Sequence, residues 1–116
     1  MKRYFIYSIL FINFLIGITA VQAEENGFDK VCHYFQLLEK EKNIDSMSIH
    51  ERNDFILKKI NKYLKPTSNA RAAWLSISNA VANQRYELFQ LSAESVLNKK
   101  WQCQPMKKWA ALTGEF

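Results

Sequence analysis

Between Gly27 and Gly114 the chain contains no glycine, and only Pro66 and Pro105 interrupt it. Strands need glycine, proline and short polar clusters to turn every few residues, whereas helices need such punctuation only at their ends. The stretch therefore predicts an all-α fold, and its apolar residues recur at steps of three and four rather than alternating. Four to five helices fit the spacing of the breaks, which makes a small helical bundle the expected architecture.

The first helix is expected from about Phe28 to Lys42, with Phe28, Val31, Cys32, Phe35 and Leu38 on its inner stripe. Ser48-Ile49-His50-Glu51 has the form of a capping box, in which the serine hydroxyl and the glutamate carboxylate each satisfy a free backbone N–H. The helix it opens runs to Leu64, ahead of Lys65-Pro66, because the residue before proline resists helical geometry. Its inner stripe is Ile49, Asn53, Ile56, Ile60, Tyr63 and Leu64, with Phe55 beside it. Ser68 can cap the next helix, whose buried face is Ala70, Ala73, Trp74, Ile77, Ala80 and Val81, with Trp74 at the centre of the core. Tyr86, Phe89, Ala93, Val96 and Leu97 continue the pattern, and Leu88 and Leu91 widen its apolar flank. One straight helix over residues 69–98 would span roughly 45 Å, long for so small a protein, so a bend near Asn83-Gln84 is preferred. A last short helix has Pro105 near its start and Gly114 after its end, with Met106, Trp109 and Leu112 inward and Gly114-Glu115-Phe116 as a loose tail.

Ahead of this region, Lys2 and Arg3 precede an apolar run from Tyr4 to Ile16, and Val21-Gln22-Ala23 ends it in small or short residues. That is the pattern of a secretory signal cleaved after Ala23. A retained anchor is the competing reading, since a membrane span takes roughly 20 apolar residues. Cleavage leaves residues 24–116 as one helical domain in the periplasm or outside the cell. A chain of that length buries a modest share of its surface and gains from a covalent staple. Cys32 and Cys103 are the only cysteines, and export to an oxidising compartment predicts that they are joined. For a loop of about 70 residues the chain-entropy model gives about 4 kcal/mol, a large part of a typical stability of about 5 to 15 kcal/mol.

Charge is unevenly placed. Residues 24–55 carry four basic and eight acidic side chains, net −4, whereas residues 56–116 carry ten and three, net +7. Lys99-Lys100-Trp101 and Lys107-Lys108-Trp109 place basic and aromatic residues together near the end. With Arg85, these lysines form the candidate partner surface, suited to an acidic protein or an anionic membrane. The alternative is that both tryptophans belong to the core and the lysines are their solvated neighbours. Nucleic acid is not the expected partner of an exported chain. Arg71 and Arg85, set among apolar helix faces, are read as anchors for a carboxylate, on a ligand or within the protein.

Little in the sequence points to catalysis. Cys32-His33 are adjacent on one helix and diverge, His50 lies in a solvated first turn, and no Gly-x-Ser-x-Gly or phosphate-cradling loop is present. Asp29 and His33 share a helix face without a third metal ligand at useful spacing and read as a surface ion pair, as do Asp54 and Lys58. No catalytic residue, cofactor or metal ligand is assigned. The expectation is a non-enzymatic accessory or binding protein acting through protein contacts. A factor held to the membrane by its Lys/Trp-rich end or its retained leader is the alternative.

Overall fold

The computed structural model describes residues 27–116; the expected signal segment and its cleavage point lie outside the described residues. Among the described residues there are five α-helices and no strand. They are α1 (Gly27–Glu39), α2 (Ile49–Tyr63), α3 (Asn69–Ile77), α4 (Arg85–Leu97) and α5 (Gln104–Trp109). Short 3-10 turns at Ile44–Ser46, Ala82–Gln84 and Ala110–Leu112 complete the order. No helix among them is long and apolar enough to cross a membrane.

Local chemistry sets several of the helix ends. α1 ends at Glu39, short of Lys42, because Glu39-Lys40-Glu41-Lys42 supplies nothing to bury; Lys40 and Glu41 instead close tighter turns onto the carbonyls of Leu37 and Leu38. α2 begins with both halves of the capping box formed: the Glu51 N–H donates to Ser48 Oγ at 3.0 Å, and the Ser48 N–H to Glu51 Oε1 at 3.1 Å. Ser68 Oγ accepts the Arg71 N–H at the start of α3. The expected bend is there but earlier and wider, since α3 stops at Ile77 and α4 starts at Arg85, which folds the two helices against each other. α4 ends on Asn98 at φ 54°, a left-handed conformation that asparagine tolerates better than most side chains.

The core joins α1 to the other helices. Trp74 is fully buried, as expected, and meets Phe35 edge-on at 5.2 Å between ring centroids. Phe89 shares the centre, because its ring contacts Phe28 at 5.3 Å, Trp101 at 5.5 Å and Trp74 at 6.2 Å. Five residues placed inward by periodicity alone turn out exposed: Tyr63, Val81, Leu112, Leu88 and Leu91, the last two from the flank expected to widen the core. Each lies at the edge of a stripe, where a neighbouring helix is needed to complete the cover.

Candidate functional site

The end of the chain is tied to α1 at three levels. Cys32 on α1 and Cys103, just before α5, form the expected disulfide, with Cα atoms 5.7 Å apart. The Trp101 indole N–H donates to Asp29 Oδ1 at 2.9 Å, and the Trp109 indole N–H to Glu39 Oε2 at 3.0 Å. Both tryptophans are also buried, as the reading that assigns them to the core expects. Asp29 is engaged by Trp101 while His33 turns to Gln36, which replaces the ion pair expected between them. Among the described residues the one ion pair within 4.0 Å is Lys108–Glu39, so Asp54 and Lys58 do not close the contact expected of them.

The irregular link from Asn98 to Cys103 rests on one face of α4. Gln90 Nε2 donates to the Trp101 carbonyl, Glu94 Oε2 accepts the Trp101 N–H, and the Tyr86 hydroxyl accepts the Cys103 N–H, all at 2.9 to 3.1 Å. Tyr86, Gln90 and Glu94 stand four residues apart, so a polar seam beside the apolar stripe was present in the sequence for this role.

Arg85 corrects two expectations. It is 0% exposed, so it is no part of a partner surface, and among the described residues no Asp or Glu carboxylate pairs with it. Its guanidinium instead donates to the backbone oxygens of Ala80, Ala110, Ala111, Thr113 and Phe116, the last at 2.7 Å. Burial pulls its pKa below the ordinary guanidinium value, and the converging carbonyl dipoles offset the loss of hydration. Arg52 acts similarly, donating to the carbonyls of Ile44 and Leu112 while its guanidinium carbon sits 5.3 Å from the Trp109 ring centroid. Asn53 bridges core and tail, accepting from the Trp74 indole and donating to Glu115 Oε1 at 2.7 Å. Residues 113–115 are thus held rather than loose, with the Gly114 and Glu115 N–H groups on the carbonyls of Ile49 and Ser78. Arg71, read with Arg85 as a carboxylate anchor, donates to Asn61 Oδ1.

Lys99, Lys100, Lys107 and Lys108 of the candidate surface are exposed. Of these, Lys108 is engaged within the protein, its ammonium 5.6 Å from the Trp109 ring centroid and 3.8 Å from Glu39 Oε2. His33 and His50 are also exposed, and the Cys32 sulfur is held in the disulfide, which removes the free thiol a Cys-His nucleophile needs. Among the described residues no three His, Cys, Asp or Glu side chains gather as a metal set.

One of the hollows on the described surface is a shallow groove of about 590 Å³ between α3 and α4. Ala72, Ala73 and Ser76 from α3 and Ser92 and Ser95 from α4 keep its floor low, and no charged side chain lines it. Leu88, 37% exposed, and Leu91, 61% exposed, line its α4 side. Small side chains on both helices leave room for a third helix to approach, and the leucines give it apolar contact. Comparison with protein-family models, curated proteins and solved structures finds no match for this chain.

Proposed function

We propose that this chain is an exported, non-enzymatic binding protein that holds an amphipathic helix of an envelope protein in its α3–α4 groove. The observation that carries the reading is the combination of an uncharged, small-residue floor with two exposed leucines at its side. That geometry suits a helix laid in a groove and presenting apolar residues at steps of three and four. α4 spans 13 residues, or roughly 20 Å, enough to support three to four turns of a partner helix. The periplasm is the proposed compartment, supported by the disulfide, which persists in oxidising surroundings, and by the signal-like leader.

A photo-crosslinker placed at Leu91 in the native envelope tests this. The expected result is one discrete adduct, mapped to an amphipathic segment of the partner, that disappears when Leu88→Glu is added and is not seen with the crosslinker at Lys107. An adduct of two copies of this chain would replace the partner with self-association, and no adduct at all would remove the groove from consideration.

A further inference from the structure

A second cleft lies between α1 and α2, and its lining shares no residue with the α3–α4 groove. It holds about 350 Å³, within the range of about 300 to 1,000 Å³ usual for small-molecule sites. Tyr34 and Tyr63 form its aromatic wall, with ring centroids 6.2 Å apart, and Leu37 extends the apolar surface. Tyr34 is buried, whereas Tyr63 is 53% exposed, a large ring standing over a hollow.

The rim is cationic. Lys30 and Lys59 line the cleft beside His33, and the Lys62 ammonium lies 5.3 Å from the Tyr63 ring centroid. A second hollow, of about 460 Å³, shares Lys30 and Tyr63 and adds Lys65. Four lysines therefore surround one exposed tyrosine, and neither hollow has an Asp or Glu in its lining. Solvated protein faces ordinarily interleave both signs of charge. Here one sign gathers beside apolar walls; the Lys62 ammonium lies over Tyr63 and the Lys59 ammonium over Phe55, 4.9 Å from its ring centroid, and their flexible stems let either head turn to the cleft mouth.

We infer that this cleft binds a single-chain amphiphile with a carboxylate head, a ligand of the fatty-acid class. The alkyl chain lies against Tyr34, Leu37 and Tyr63, and the carboxylate sits among Lys30, Lys59 and Lys62. Apolar contact supplies most of the affinity, because exposed ammonium–carboxylate pairs are individually weak, and the lysines select the sign of the head group. This goes beyond the proposed helix-binding role and does not depend on it.

Calorimetric titration of the protein, in the form the cell processes it, with decanoate below its micelle-forming concentration tests the inference. Saturable one-site binding is expected, at least tenfold tighter than for decyltrimethylammonium, which has the same chain and the opposite charge. Tyr63→Ala and Lys30→Glu should each weaken decanoate binding at least tenfold. Lys30 is exposed, so its variant keeps the test valid if Tyr63→Ala lowers the thermal midpoint. Equal affinity for the cationic amphiphile, or undiminished binding in Lys30→Glu, would overturn the site. Binding to phosphatidylglycerol vesicles with none to monomeric decanoate would overturn it as well, and would assign the lysines to a membrane surface.

Discussion

The C-terminal clamp, in which Arg52, Asn53 and Arg85 hold residues 110–116, and the α3–α4 groove invert the usual distribution of polarity. At the clamp, Arg52, Asn53 and Arg85 are buried and their polar groups are matched to backbone oxygens or to other side chains. At the groove, Leu88 and Leu91 face solvent on a surface with no charged lining. Buried polar groups tolerate few alternative arrangements, because each needs its partners at hydrogen-bond distance, so the clamp defines one position for residues 110–116. An apolar surface left uncovered imposes no such geometry on the fold and remains free for contact with another molecule.

The sharpest way to break the comparison is Arg85→Ala. It would remove the shared guanidinium donor from five backbone oxygens, of which Ala110 keeps the Thr113 N–H, and open a cavity, and the expected loss is about 4 kcal/mol, read from the urea midpoint. A smaller loss would mean that water substitutes for the guanidinium and that the clamp is less dry than its geometry indicates. Replacing both Cys32 and Cys103 by serine should cost about 2 to 4 kcal/mol, since Trp101 and Trp109 would still hold the last segment to α1 through Asp29 and Glu39.

Gly114→Ala probes the tightness of the clamp. A Cβ there would lie 2.6 Å from Arg85 Cζ and 2.7 Å from the Ser78 carbonyl oxygen, and neither can retreat easily. A loss of about 1 to 3 kcal/mol is expected in thermal or urea melts. Tyr34 offers a pH-dependent test away from both regions. Burial, then the neighbouring Tyr63, raises its pKa above the ordinary value of 10.0. The folded state therefore keeps the phenol proton to higher pH than the unfolded chain does. Its contribution is complete below about pH 10 and is lost as pH rises through the folded value, so Tyr34→Phe should flatten the alkaline fall of the melting temperature. The smallest effect on folding belongs to the groove: Leu91→Glu should change stability by less than about 0.5 kcal/mol while abolishing partner capture. A large loss of stability there would show that Leu91 supports the fold and would weaken the docking reading.

Local chemistry was legible where a helix carries its own instructions. The Ser48–Glu51 capping box, the Ser68 cap, the stop at Pro66 and the interior position of Trp74 all follow from residues within a few positions of one another. The groove was only half legible. Leu88 and Leu91 read as part of a widening core because periodicity reports that a stripe is apolar, not whether a neighbouring helix covers its edge. Tyr63 and Val81 misled for the same reason. The clamp was hardest to see: Arg85 reads both as part of a partner surface and as an anchor among apolar helix faces, and only partners distant in sequence decide between the two.

By itself the sequence determined a helical chain with defined breaks, a single way to pair two cysteines and an aromatic centre, because capping, helical period and cysteine count are local or combinatorial facts. The tertiary structure alone decided that Arg85 faces inward and that the last residues are held. The carbonyls that receive its guanidinium at the chain's end come from residues 25 to 31 positions away, and they converge only once α4 and the final segment are packed together. Exposure at the groove was decided in the same way: α5 packs on α1, and among the described residues no helix remains to cover Leu88 and Leu91.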